Sequence, residues 1–245
     1  MDNWQKSYFF NIDLWYPLAS NIPSLPKTRF IPLTKTDAIC LLKGRGFKKL
    51  LQPVKKRVDD ELNGGCRFFK LSTRSGKDAY EVLDPSLDIK EDDSSEELAR
   101  KIQAQIEILK VSSFEDVYRI IRASKRLKED LTNYIDYATD DQSMSIVLQE
   151  WKPCKGTEYR CFIKGKRLIA FCLYHGCQES LDDDDGLRKE IEEFIQNIQP
   201  YIQFEDYVLD IDLESRQRIR FIELNPFNDE TDPCIFTWEE LRNKT

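Results

Sequence analysis

The stretch FIELNPFNDETD, Phe221 to Asp232, decides how the chain is read. Its opening is apolar enough for a strand, and on a strand Glu223 and Asn225 point to the same face. A carboxylate beside a carboxamide, followed by Pro226, is poor core material, but both side chains offer hard oxygens. The runs YVLDIDL (Tyr207 to Leu213) and RIRFIEL (Arg218 to Leu224) flank the turn ESRQ and read as a hairpin. Asp210 and Asp212 share one face of its first strand, and antiparallel pairing brings Asp210 near Glu223 or Asn225. Carboxylates gathered on a sheet face repel and lose hydration; a divalent cation relieves both problems. Two carboxylates and an asparagine oxygen, completed by phosphate oxygens, make a magnesium site of the kind found beside nucleotides. A wet sheet face with lysines or arginines alongside explains the same pattern, and spacing alone leaves both readings open.

Working outward, Lys70 lies inside the apolar strand RFFKL and needs a partner, for which phosphate is suited. The turn LSTRSGKDA that follows offers Ser72, Ser75, Gly76, Lys77 and backbone N–H groups able to fold over phosphates. Arg160, within EYRCFI, is a second cation in an apolar strand. Each could equally be held in a structural ion pair. Together they fit nucleotide–magnesium binding between two lobes. Neither GxxxxGK[ST] nor GxGxxG occurs.

The 245 residues, 40% of them apolar, suffice for one sizeable core or two lobes. A net charge of -7 argues against a general nucleic-acid binder. The one basic patch, GFKKLLQPVKKR (Gly46 to Arg57), is read as a solvated helix face or loop. No window reaches the ~18 apolar residues of a membrane span, and no signal peptide is recognised at the start. Seven cysteines without a CxxC argue against zinc or a disulfide framework and for reduced, mostly buried thiols in a cytoplasmic protein. The single histidine, His175, is read as a strand-end residue, so hydrolase triads are disfavoured.

Residues 1–60 mix aromatics with prolines and read as a loop-rich segment packing on two lobes, 61–145 and 146–245. In the first lobe CRFFKLS (Cys66 to Ser72) and AYEVL (Ala79 to Leu83) read as strands. A capping box at Ser94 and Glu97 opens one helix, and a second runs from Phe114 through Leu127. In the second lobe IVLQEW (Ile146 to Trp151), EYRCFI (Glu158 to Ile163) and RLIAFCLY (Arg167 to Tyr174) are strands, ahead of the acidic loop LDDDDG (Leu181 to Gly186) and a helix from Leu187 to Ile198. The four aspartates lack EF-hand spacing and read as a solvated loop. The fold class is α+β.

These motifs, in this order, resemble the cell division cycle protein 123 family of the ATP-grasp superfamily. FFKLSTRSGKDA (Phe68 to Ala79) is similar to its lysine strand and serine-rich loop, and IVLQEW to its hinge strand. EYRCFIKGKRLIA (Glu158 to Ala170) is similar to its hairpin, and YVLDIDL with FIELNPFNDETDPCIFTWEEL (Phe221 to Leu241) to its metal strands and closing segment. LPKTRFIPLT (Leu25 to Thr34) matches more loosely. The resemblance implies an ATP-grasp fold, two α+β lobes with the nucleotide cleft between them. It implies that Lys70 holds the α and β phosphates, that Ser72, Ser75 and Lys77 lie in the phosphate loop, and that the backbone around Glu150 and Trp151 meets adenine. Arg160 would meet the terminal phosphate, and Asp210, Glu223 and Asn225 would bind Mg2+; Asp212 stands where the family has an aromatic residue and ranks lower.

The chain departs from the family with Glu223 for an aspartate, Gln149 for an arginine, and IAFCLY for an Ile-Ser-Gln-Arg run; it also ends soon after Trp238. The first two departures are compatible with metal and nucleotide binding; the others bear on the partner or substrate. Eukaryotic members act as ATP-dependent assembly chaperones that bind the gamma subunit of translation initiation factor two and promote trimer formation. The resemblance therefore implies ATP and that subunit as partners, with no nucleic acid and no membrane. The competing class is an ATP-grasp enzyme of the carboxylate–amine ligase type or another ATP-dependent modifier. A compact bacterial or viral variant acting on a host target is a further form of that alternative.

Overall fold

A computed structural model describes residues 8–44, 49–90, 92–154, 156–174, 185–215 and 218–244. His175, Cys177 and most of LDDDDG lie outside the described residues, as do Gly46 to Lys48 of the basic patch. The chain divides into two units, Met1–Asp13 with Lys27–Lys152, and Leu14–Pro26 with Pro153–Thr245.

The first unit is built on a four-stranded antiparallel sheet ordered β1 (Thr28–Leu33), β4 (Met144–Glu150), β2 (Arg67–Leu71), β3 (Lys110–Val111). Strand β4 is the run IVLQEW, so this run is central to the first sheet rather than the opening strand of the second lobe. Register explains why. Phe69 faces Leu148 and Leu71 faces Ile146, which puts four fully buried apolar residues on one face. Phe68, Lys70, Val147 and Gln149 take the other face.

Residues before 60, expected to be loop-rich, contain three helices among the described residues: α1 (Ile12–Ala19), α2 (Lys35–Lys43) and α3 (Gln52–Leu62). The signals were local. Thr34 and Asp37 form a reciprocal capping box at α2. Pro53 sits in the first turn of α3, where its missing N–H costs nothing, and Val54, Val58 and Leu62 bury one stripe. The polar face of α3 holds Lys55, Lys56 and Arg57 of the basic patch, and these are neutralised. Lys55 pairs with Asp59 and Glu115, Lys56 with Asp60, and Arg57 with Asp37.

AYEVL, expected as a strand, is instead a 3-10 turn (Lys77–Ala79) and a short helix α4 (Tyr80–Leu83). Its Val82 is exposed, so the alternation of apolar residues has no second face to bury. The Asp78 carboxylate ties it down by accepting from the backbone N–H of Lys125 (2.7 Å) and Arg126 (3.1 Å) and from the Ser124 hydroxyl (2.5 Å). Helix α5 (Ser95–Glu107) starts at Ser94 as expected, its hydroxyl accepting from Glu97 N–H. The Glu97 side chain turns to Arg100 instead of completing the box. The long helix expected after Phe114 is two, α6 (Phe114–Ala123) and α7 (Lys125–Tyr137), because the Ser124 hydroxyl accepts from Leu127 N–H and caps α7.

At the start of α6, Asp116 accepts from the Ser112 and Ser113 backbone N–H groups and hydroxyls. Burial opposes its charge, but these hydrogen bonds, the Ser112 backbone N–H foremost, outweigh burial and hold the carboxyl below the ordinary range. A depressed folded value means that its stabilisation is complete above the ordinary aspartate value of 3.8 and is lost as pH falls through the lower, folded value. Asp116→Asn should therefore cost about 1 kcal/mol at neutral pH and lose its difference from the parent in strong acid. Urea unfolding from pH 6 to pH 2 reads this; a constant gap across that range would exclude Asp116 as the source.

The second unit carries an antiparallel sheet ordered β6 (Arg167–Leu173), β5 (Thr157–Lys164), β7 (Tyr207–Ser215), β8 (Arg218–Pro226). Helix α8 (Asp185–Ile198) buries Leu187, Ile191, Ile195 and Ile198 on one stripe, as its spacing predicts. Trp15 packs on Phe221, ring centroids 5.7 Å apart. On the opposite sheet face Phe162, Ala170, Cys172 and Val208 lie under Trp238 and Leu241 of α9 (Trp238–Asn243). Trp238 meets Phe227 edge-on at 5.0 Å and donates its indole N–H to the Thr231 carbonyl at 3.0 Å. Between β7 and β8 the register slips twice, at Asp210/Ile211 and at Leu213/Ser215. Asp210 pairs with Glu223 but Ile211 pairs with Phe221, leaving Ile222 as a bulge. The α+β class expected from the sequence is what the two sheets show.

Candidate functional site

Cross-strand register sets the central row of the second sheet. Cys172 on β6 faces Arg160 on β5, Arg160 faces Asp210 on β7, and Asp210 faces Glu223 on β8. Directly paired residues point the same way, so one sheet face carries thiol, guanidinium and two carboxylates in line. Toward the chain's closing segment this face becomes apolar, with Ala170, Phe162 and Val208; away from it lie Glu158, Asp212 and Arg220. The bulge matters here. Arg220 and Glu223 are three apart and would oppose each other on a regular strand, but the extra residue turns both toward the carboxylates of β7.

Arg160 and Asp210 are both buried and form a two-pronged pair, Nε to Oδ1 and Nη2 to Oδ2, each 2.8 Å. Arg160 Nη1 donates to the Asp232 carbonyl at 2.8 Å, and the guanidinium lies 4.1 Å from the Tyr174 ring centroid. Burial is the strongest single influence on Arg160 and disfavours its charge, yet the charge and hydrogen bonds of Asp210 prevail and hold its pKa above the ordinary arginine value. Asn225 donates Nδ2 to Asp210 Oδ2 at 3.0 Å. Asp212, fully buried, accepts from Arg220 at 2.7 Å and from the Gly156 N–H at 3.0 Å.

The sequence left two ways to relieve the repulsion of clustered carboxylates, a metal or basic residues alongside; Asp210 and Asp212 are each paired with an arginine. Arg160 is thus engaged with Asp210. Arg220 was missed, although RIRFIEL carried a signal: it puts a second cation within the strand that bears Glu223. The remaining donor set still suits a hard cation. Asp210 and Glu223 are direct neighbours, and Asn225, with its amide nitrogen turned to Asp210, offers its carbonyl oxygen. Among the described residues no group of three or more His, Cys, Asp or Glu is placed to hold a metal. A cation here would need the amide and outside oxygens as well.

In the first unit Lys70 is buried on the sheet face that also bears Phe68. The Ser72 hydroxyl accepts from Ser145 N–H at 3.1 Å, and Ser75 is buried beside it in sequence. The loop between them and Lys77 is pinned by Arg74, which pairs with Asp130 at 2.8 Å, and by the Thr73 hydroxyl donating to Asp130 at 2.5 Å. A loop held at so many points is preorganised rather than floppy. Glu150 ends β4, its N–H donating to the Lys27 carbonyl at 2.7 Å and its carboxylate pairing with Lys152 at 2.9 Å. Trp151 stacks on Phe68 at 6.4 Å, and Lys110 lies 5.1 Å from its ring centroid. Gln149 donates to the Thr28 hydroxyl at 3.1 Å and so bridges β4 to β1. Sequence reading also missed Asp13, which is half-buried, accepts from the Ser145 hydroxyl at 2.9 Å, and whose carboxyl burial pushes up.

Among the described residues no helix is long and apolar enough to cross a membrane. The D123 family model matches residues 46–245. The chain is 30% identical over 198 residues to the translation initiation factor eIF2 assembly protein of Xenopus laevis, covering 76% of this chain and 52% of that relative. It is 32% identical over 151 residues to the eIF2 assembly protein of Schizosaccharomyces pombe, covering 55% of this chain and 46% of that one. The chain spans about half the length of the curated relatives it matches. The solved structure of Cdc123 from Schizosaccharomyces pombe superposes with a TM-score of 0.69 at 25% identity, covering 98% of this chain and 92% of that one. The resemblance carried by the lysine strand, the hairpin and the closing strands is therefore one of descent, and the chain belongs to the D123 family.

Proposed function

We propose that the chain is an ATP–magnesium-binding assembly factor for eIF2, engaging its gamma subunit in the cytoplasm. The observation that carries the assembly role is the kinship with relatives named for eIF2 assembly. The nucleotide role is supported by the donor set of Asp210, Glu223 and Asn225 and by a buried lysine beside a pinned serine loop. In this reading Lys70 holds the α and β phosphates, with Ser72, Ser75 and Lys77 in the phosphate loop. The backbone at Glu150 and Trp151 borders adenine. Arg160 reaches the terminal phosphate with the N–H groups that Asp210 and Asp232 leave over; its guanidinium has five, of which three are described in hydrogen bonds. Asp210, Glu223 and Asn225 hold magnesium, which offsets triphosphate charge when bound.

Lys70→Met keeps a similar volume and removes the charge. It should weaken ATP binding by about 1.5–3 kcal/mol, the range of a charge-assisted hydrogen bond. Calorimetry in the presence of Mg2+ reads this, and equal affinity would remove Lys70 from the site. For the assembly role, tagged full chain is mixed with purified gamma subunit with and without ATP and Mg2+. Co-purification that rises with nucleotide is expected; no co-purification under either condition would overturn the partner.

A further inference from the structure

Two thiols meet beside the charged row. Cys172 is fully buried at the end of that row, and Cys234 packs against the same cluster from the segment that follows β8. Cys234 lies against the cluster of which Cys172 is a member, and its thiol donates to the Asp232 carbonyl at 4.0 Å. Cys234 is only half-buried, so reagents reach it first. Its backbone is left-handed, φ +56°, which is uncommon for a residue with a side chain. Two contacts hold this conformation: the Cys234 N–H donates to the Asp232 carboxylate at 2.9 Å, and the Asp232 carbonyl accepts from Arg160 at 2.8 Å. The neighbouring Cys172 thiol lowers the Cys234 pKa, burial opposes this, and the Arg160 charge adds to the lowering. Nothing in the nucleotide or partner reading uses either sulfur.

We propose that Cys172 and Cys234 are a thiol modification site that hydrogen peroxide converts to a disulfide. The Cys234 thiolate attacks one peroxide oxygen, the O–O bond breaks, and the departing hydroxide takes a proton to become water, leaving a sulfenic acid. The Cys172 thiol then gives up its proton and attacks that sulfur. The S–O bond breaks, a second water leaves, and the S–S bond forms. Two thiols are oxidised by two electrons, and one peroxide is reduced to two waters. The product fastens the segment carrying Asp232, Cys234 and Trp238 to strand β6. It does so one step along the row from Arg160, so the oxidised chain holds its charged row under a covalent clasp.

The test uses the reduced full chain, treated with a small excess of hydrogen peroxide, then N-ethylmaleimide under denaturing conditions, then digested without reductant. Mass spectrometry should find the Cys172 and Cys234 peptides joined, two hydrogens lighter than their sum and separated by dithiothreitol. In Cys172→Ala the resolving thiol is gone, and Cys234 should accumulate as sulfinic acid instead. The mapping of the unmutated chain stands even if that variant does not fold. Cys234 oxidised while Cys172 is recovered fully alkylated, or either one joined to another cysteine, would overturn the proposal.

Discussion

Asp210→Ala should destabilise the second unit by about 3–5 kcal/mol, the usual result of removing one partner from a buried ion pair. Arg160 would keep its carbonyl contact with Asp232 but lose both charge-assisted bonds, and its side chain is only 5% exposed. Asn225 would lose the acceptor of its Nδ2 as well. The double variant Asp210→Leu with Arg160→Met should recover most of the loss, because an apolar pair of similar volume carries no desolvation penalty. Urea unfolding measures both. A loss under about 1 kcal/mol in the single variant, the range of exposed pairs, would mean that Arg160 escapes to water and that the pair is not structural. The result bears on function too. Loss of nucleotide binding in Asp210→Ala cannot be credited to magnesium when the fold is also weakened. Asn225→Ala is the cleaner probe, since it removes a candidate ligand and leaves the Arg160–Asp210 pair in place.

Gly156→Ala should be nearly as damaging, for a steric reason. A Cβ there would sit 2.0 Å from the Leu213 carbonyl oxygen, 2.3 Å from its carbon and 2.5 Å from the Glu214 nitrogen. All three are backbone atoms of β7, so no rotamer change relieves the clash. Moving the chain away also breaks the 3.0 Å hydrogen bond from Gly156 to the fully buried Asp212. A loss on the order of 3 kcal/mol, the upper end for overpacking, follows. Gly165→Ala is the control. Its Cβ meets nothing within 4 Å, and only its φ of +55° resists substitution, at about 1 kcal/mol. Thermal unfolding that ranks Gly165→Ala as the worse of the two would refute the close approach.

The charged hairpin was legible because alternation on a strand fixes which residues share a face, and YVLDIDL and RIRFIEL alternate plainly. Its energetics were not. Whether a carboxylate is offset by a metal or by an arginine depends on which strand lies alongside, and β5 is brought to β7 from about fifty residues away. AYEVL misled for the converse reason: β-prone residues form a strand only where an edge is open to pair, and β2 already has β4 on one side and β3 on the other. The helices before residue 60 were hidden by prolines and aromatics, although Thr34, Asp37 and Pro53 were readable as start signals. The meeting of Cys172 with Cys234 had no sequence signal, since they stand 62 positions apart.

The unmatched Ile222 puts the two halves of β8 in counter-phase. Deleting that one isoleucine should therefore leave every pairing in place and only straighten the strand, whereas a residue added beside it would turn one half of the strand over. The strand is thus more tolerant of a shortening at this point than of any insertion.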